Sequence, residues 1–452
     1  MASPLTPASS TVVLDGVVSK VIRRLVPFLL LMYVLAFLDR ANVGFAKEAF
    51  QADTGLSNAA YATGAGIFFI GYAVFEVPSN MIMHRVGARI WMCRIMITWG
   101  LVSAATVFAH TATVFYSLRF LLGVAEAGFF PGVILYLTYW IPASHRGKVM
   151  GLFYFGAPLA FIFGGPLSGG LLELKGNAGL QGWQWLFLVE GLLATSVGVW
   201  AWFYLENRPQ ESTRLSAEDR DLLVSVLDEE NKRKAEHSPS GILRALRDPK
   251  VLYLSLIYFT IQVSVYGVTF YLPTQIAHLV GKKVGFEVGL ITAIPWTVAL
   301  IASYVVGRRA DRVNARHLLA AVTLGIGGLG IAFSVIFSSP VLALIALCFG
   351  AAGFIAVQPV FWTIPTGYLT GVAAASGIAL INSLGSLGGF VAPNVKNWAD
   401  STFSSSSAGS LLLAATTLVG AVLLVGVAAM GLGRTRRTDA ATTATASASG
   451  HR

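Results

Sequence analysis

Four ionisable residues stand inside otherwise apolar stretches: Asp39 and Arg40 in LLLMYVLAFLDRANVGFA, and Arg119 and Glu126 in VFYSLRFLLGVAEAGFFPGVILYL. A charge at the centre of a lipid-spanning helix costs about 2.5–3.5 kcal/mol on insertion scales, so a charge kept there marks a working site. The planar fork of arginine offers a carboxylate two parallel donors and stays charged when desolvated, which makes Arg40 and Arg119 candidate anion anchors. A carboxylate responds in opposite senses to burial and to a neighbouring guanidinium, so Asp39 and Glu126 suit proton uptake and release during a cycle of motion. Arg119 and Glu126 are seven residues apart, which is two helical turns, and are expected to point at one cavity that Gly123 leaves open between them. Tyr33 and Arg40 repeat that spacing, with Asn42 near the same level.

Polar residues at helical spacing extend this constellation. Tyr72 lies one turn before Glu76, Gln262 one turn before Tyr266, and Asn382 one turn before Ser386. Interhelical hydrogen bonding alone would account for such residues at about 0.6 kcal/mol each, and their expected role is neutral contact with a bound molecule. Glu76, just ahead of Pro78, and Glu190, after WQW, read instead as structural. Cys93 and Cys348 sit alone in apolar surroundings, and no metal-ligand spacing accompanies them. No HExxH helix, GxSxG elbow or cysteine–histidine arrangement occurs. An enzyme, a metal and a cofactor are therefore not expected.

Membrane-spanning helices must position these residues. Charged residues make up 12% of the chain and hydrophobic ones 55%, with a mean hydropathy of +0.69, whereas soluble domains carry about 25% charged residues. Twelve apolar segments, near 24–46, 61–83, 90–110, 114–140, 149–172, 184–204, 251–279, 287–306, 317–337, 340–366, 374–395 and 409–432, are each long enough to cross about 30 Å of hydrocarbon. Segments on one side of these spans hold 25 of the 32 basic residues, which predicts cytoplasmic termini in an inner or plasma membrane. The net charge of +10 thus follows from topology and implies a lipid bilayer, not nucleic acid, as the partner.

A polar segment at 205–250, with Ser216 as a helix cap, divides the spans into six-helix lobes at 21–204 and 251–433, flanked by tails at 1–20 and 434–452 expected to be disordered. HRVGAR at His84–Arg89 and DRVNAR at Asp311–Arg316 agree at four of six positions and mark the lobes as parallel repeats. The loop charges Arg85, Arg89, Asp311, Arg312 and Arg316 are candidate gating contacts between helix ends.

GRRADRVNAR at Gly307–Arg316 resembles the signature of the major facilitator superfamily, although Asn80 and His84 replace the Gly and Asp usual in the first-lobe copy. LDRANVGFA, FFIGYAVFEVPSN, RFLLGVAEAGFFPG and GIALINSLGSLGGFVAP resemble the anion:cation symporter family in particular. The resemblance implies an all-α integral membrane protein of two pseudo-symmetric six-helix lobes. It implies anion binding at Arg40, Arg119 and Tyr72 and proton coupling at Asp39 and Glu126. Gly165, Pro166, Gly169 and Gly170 also resemble an antiporter signature, which Phe161 interrupts. The expected function is proton-coupled symport, by a monomer, of a small organic acid anion such as a sugar acid, tartrate or an aromatic carboxylate. An anion exchanger or uniporter of the same fold is the alternative.

Overall fold

The structure, a computed structural model, describes residues 7–235, 247–310, 312–313, 315–369 and 371–432. Backbone amides and carbonyls in hydrocarbon must be satisfied within their own segment, so apolar runs of this length fold as helices. The first half forms α1 (Pro7–Thr54), α2 (Asn58–Val86), α3 (Ala88–Ala104), α4 (Ala112–Glu126), α5 (Phe129–Trp140), α6 (Ala143–Phe153), α7 (Gly156–Leu172) and α8 (Gly182–Tyr204). A linking helix α9 (Ala217–Ala235) follows. The second half forms α10 (Pro249–Thr269), α11 (Leu272–Val280), α12 (Phe286–Ala310), α13 (Arg316–Ile336), α14 (Pro340–Tyr368), α15 (Gly371–Ser386), α16 (Gly388–Thr402) and α17 (Ala408–Gly426). Twelve segments among the described residues are long and apolar enough to cross a membrane; Ala112–Trp140 joins α4 to α5 and Ala143–Leu172 joins α6 to α7.

Pairing repeats between the halves. The first and fifth spans pack as α1 on α7, the second and fourth as α2 on α4, and the third and sixth as α3 on α8. Their counterparts pack as α10 on α15 and α16, α12 on α14, and α13 on α17. Between the halves, α7 meets α12 and α2 meets α16. The α7–α12 seam has no side chains at its closest points: a Cβ on Gly289 would lie 2.1 Å from the Gly165 carbonyl oxygen, and one on Gly169 2.2 Å from that of Gly285. Glu173 closes the end of this seam by accepting the Phe286 amide at 2.8 Å. Thr63 and Asn394 join α2 to α16 at 3.2 Å on the same side.

Three segments depart from expectation. The tail expected to be disordered to residue 20 is helical from Pro7, because Val17, Val18, Val21 and Leu25 form a buried stripe. Lys20 pairs with Asp219 at 2.7 Å and Asp15 with His145 at 3.1 Å, which ties this extension to α9 and α6. The seventh span ends at Thr269, short of the 279 expected, and α11 continues as a separate helix after Tyr271. The fourth span breaks at Ala127–Gly128, where Gly128 takes φ +85°. Ser216 caps α9 by accepting the Asp219 amide at 3.1 Å. The tail at 434–452 lies outside the described residues.

Glu206, just beyond α8, fastens the linker to α1. It accepts Arg24 Nη1 at 3.0 Å, Ser212 Oγ at 2.9 Å and the Thr213 amide at 3.2 Å. Burial alone would raise its carboxyl, but these hydrogen bonds and the Arg24 charge outweigh burial and hold it below the ordinary carboxylate value. A depressed folded-state value stabilises the fold above the unfolded value of about 4.3 and is lost as pH falls through the folded one. The melting temperature of Glu206→Gln should therefore lie below wild type at pH 7, with the gap closing below about pH 4. A gap that persists unchanged in acid would remove this anchor from the account.

Candidate functional site

A cavity of about 50 Å3 lies between the lobes. Tyr33, Arg40, Tyr72, Gln262, Tyr266, Asn382 and Ser386 all line it, drawn from α1, α2, α10 and α15. The helical spacing of each pair turns both members the same way, and the lobe contact turns those faces toward one another. Phe37, Phe130, Tyr154, Tyr258, Ser303 and Gln358 complete much of the wall. Gln358, a lone amide before Pro359 in an apolar span, carried a signal that could have found it; the aromatic residues did not stand out among so many.

Arg40 is the centre of this wall. Its Nε and Nη2 both donate to Glu126 Oε1, at 2.8 and 2.5 Å, and its Nη1 donates to Tyr266 Oη of the other lobe at 3.0 Å. The guanidinium lies 5.1 Å from the ring centroid of Phe37, 5.5 Å from Phe68 and 5.0 Å from Tyr72. Such rings offer a cation partial compensation for lost water. Glu126 is fully buried at the last turn of α4, just before the Gly128 break, and its Oε2 has no hydrogen-bond partner.

Arg119 and Glu126 do not open on the cavity as their spacing suggested. Arg119 is 1% exposed, does not line the cavity, and donates Nη2 to the Ala65 carbonyl at 3.3 Å. Its guanidinium lies 5.2 Å from the Phe68 ring centroid, so this ring faces both arginines. The space at Gly123 is filled by α2, since a Cβ there would stand 2.0 Å from the Phe68 carbonyl oxygen. Asn42 likewise turns into the first lobe, fully buried, and donates Nδ2 to Asp39 Oδ1 at 3.0 Å. Asp39 Oδ1 also accepts Ser103 Oγ, a partner that sequence reasoning missed because a serine near a helix end is unremarked. Asp39 Oδ2 and the Nε and Nη1 of Arg119 have no hydrogen-bond partner. Asp39, Asn42 and Arg119 thus form a polar layer within the first lobe, behind the Arg40 wall.

The acids read as structural are buried too. Glu190, 2% exposed, accepts Ser168 Oγ at 2.7 Å. Glu76, 1% exposed, accepts Asn382 Nδ2 and Ser383 Oγ at 2.6 Å each, across the lobe boundary.

The gating residues make local contacts. Arg89 donates Nε to the Trp202 carbonyl at 2.7 Å, and Arg316 donates Nε to the Ala310 carbonyl at 3.2 Å. Both bonds serve carbonyls at helix ends within one lobe, where cations are favoured. Arg85 and Arg312 are exposed, and Asp311 lies outside the described residues.

The site as built holds a guanidinium and a carboxylate in contact beside a cavity, with a phenol and several amides and hydroxyls around it. That set can bind an anion and exchange a proton; it lacks a nucleophile held against a base.

Residues 29–393 match the family described as the Major Facilitator Superfamily. The chain is 49% identical over 92% of its length to the inner membrane transport protein RhmT of Escherichia coli (strain K12), covering 96% of that protein. It is 44% identical over 90% of its length to a protein of Agrobacterium vitis named for tartrate transport, covering 90% of it. The crystal structure of a D-xylose–proton symporter superposes with a TM-score of 0.70 at 16% identity, over 89% of this chain and 97% of that one, which shows a shared fold.

Proposed function

The chain belongs to the Major Facilitator Superfamily, and on that premise, a multi-pass membrane transporter and not an enzyme, we propose that it carries an organic acid anion together with a proton by alternating access. The observation that carries this reading is the contact of Arg40 with Glu126 beside the cavity. While Glu126 is ionised it occupies the fork that an incoming carboxylate needs. A proton on Glu126 releases the guanidinium, and the carboxylate of the bound molecule replaces it at no net change of charge. Anion and proton then load together, because either alone leaves an unpaired charge in a low-dielectric site. Asp39, with Arg119 behind the wall, is a second proton-carrying pair in the same reading.

The tyrosines, amides and hydroxyls of the wall suit a hydroxylated or aromatic acid, and the tartrate name of a relative at 44% identity supports an organic acid as cargo. A cavity of about 50 Å3 holds only a few waters, so loading requires the lobes to part. The inner-membrane name of the other relative and the distribution of basic residues support that membrane as its location, with both termini cytoplasmic.

Uptake into proteoliposomes with internal pH recorded tests the reading, using labelled tartrate, gluconate and benzoate. Accumulation should follow an imposed proton gradient, and uptake indifferent to it would end the symport claim. Glu126→Gln is expected to keep exchange of internal for external anion while losing gradient-driven accumulation by at least about tenfold, as removing one coupling proton requires. A variant that still accumulates with the gradient would take Glu126 out of the coupling.

A further inference from the structure

Glu76 fixes which way a cavity amide faces. Its carboxylate accepts Asn382 Nδ2 through Oε1 and Ser383 Oγ through Oε2, both at 2.6 Å. While ionised, Glu76 only accepts hydrogen bonds, so the amide nitrogen of Asn382 points at it and Oδ1 points elsewhere. Asn382 lines the cavity and is only partly buried.

We propose that Glu76 is a positioning residue for substrate choice: it holds Asn382 with Oδ1 toward the cavity, so that the transported acid must bring a hydroxyl to donate there. The inference rests on the organic-anion reading above and narrows it to hydroxylated acids. The two ends of such a molecule find complementary partners in different lobes. Its carboxylate meets the donors of Arg40 on α1, and its hydroxyl meets the acceptor of Asn382 on α15. A molecule held in this way bridges the lobes and favours their closure around it. An acid lacking the hydroxyl leaves Oδ1 facing an apolar group, which is where discrimination arises.

Other groups near Glu76 do not replace this role. Arg40 on α1, Tyr72 on α2 and Tyr258 on α10 are the charged or titratable groups that face it, and both named hydrogen bonds to its carboxylate come from α15. Asn80, on its own helix, bonds the Glu76 backbone carbonyl and not the carboxylate.

Competition against uptake by the full-length protein tests this with paired probes, tartrate against succinate and gluconate against hexanoate. Wild type should prefer the hydroxylated member by at least about tenfold, the worth of one hydrogen bond with its desolvation. Glu76→Gln can donate as well as accept, which frees the Asn382 amide to turn over, and the preference should fall to within about threefold while both acids still compete. A wild type that binds neither pair overturns the organic-anion reading itself. A wild type that binds both members equally, or a Glu76→Gln protein that binds with the preference intact, overturns the positioning role alone. Where Glu76→Gln does not insert, Ser383→Ala decides: it removes the bond that steadies the carboxylate and should lower the preference, and an unchanged ratio refutes the proposal.

Discussion

Lysine in place of Arg40 is expected to abolish transport, lowering uptake at least about 100-fold in protein that still inserts and folds. Arg40 donates through three nitrogens at once, two to Glu126 and one to Tyr266 across the lobe boundary. A lysine ammonium is a compact point charge that cannot reproduce the fork. Truncating one partner of a buried, hydrogen-bonded charge pair costs about 2–5 kcal/mol, or roughly 30- to 5,000-fold in an equilibrium. The flat guanidinium also fits among Phe37, Phe68 and Tyr72 in a way that a strongly hydrated ammonium does not. The measurement is uptake and counterflow by purified Arg40→Lys beside wild type, with melting temperature as the control for folding. Near-normal uptake would remove Arg40 from the binding wall.

Valine at Gly289 should be nearly as damaging by a different route. Its Cβ would sit 2.1 Å from the Gly165 carbonyl oxygen, far inside van der Waals contact, and backbone on both sides leaves no side chain to swing away. The α7–α12 seam then cannot close, and the lobes remain parted on the side of Glu173 and Phe286. Uptake should fall at least about tenfold, because alternating access requires both closures. A cysteine replacing Ser303 in the cavity wall, with Cys93 and Cys348 replaced by alanine, reports the state directly. Impermeant maleimide should label it much faster in Gly289→Val from the side that the seam closes. Equal labelling and unimpaired uptake would show that the seam tolerates separation.

Hydropathy and the positions of charge made the twelve spans legible, because lipid removes every alternative to a helix for a long apolar run. The shared faces of Tyr33 and Arg40, of Gln262 and Tyr266, and of Asn382 and Ser386 were legible from spacing for the same reason. Spacing tells which residues point together, not what they point at. Arg119 and Asn42 look like Arg40 in the sequence, yet they face the interior of their lobe, since packing of α1, α2 and α4 decides which stripe meets the cavity. Contacts between distant helices were illegible outright: Glu126 is 86 residues from Arg40 and Asn382 is 306 from Glu76. The amphipathic stripe from Val17 to Leu25 was present but obscured by the Ser, Thr and Pro residues preceding it.

On the proposed coupling, the one-to-one pairing of Arg40 with Glu126 would also set how the membrane potential acts on this transporter. With one proton taken up at Glu126 and none exchanged at Asp39, trading the Glu126 carboxylate for that of a monoanion would move no net charge between the empty and loaded carriers, so voltage would neither drive nor oppose the step. A dianion loaded with a single proton carries one negative charge, and against an interior-negative potential that costs about 2.3 kcal/mol per 100 mV. About a 50-fold difference in attainable accumulation per 100 mV would then separate acids of one and two charges whose contacts in the cavity are alike. Ionic valence, which a cavity wall reads poorly, would thereby be sorted by the electric field across the bilayer.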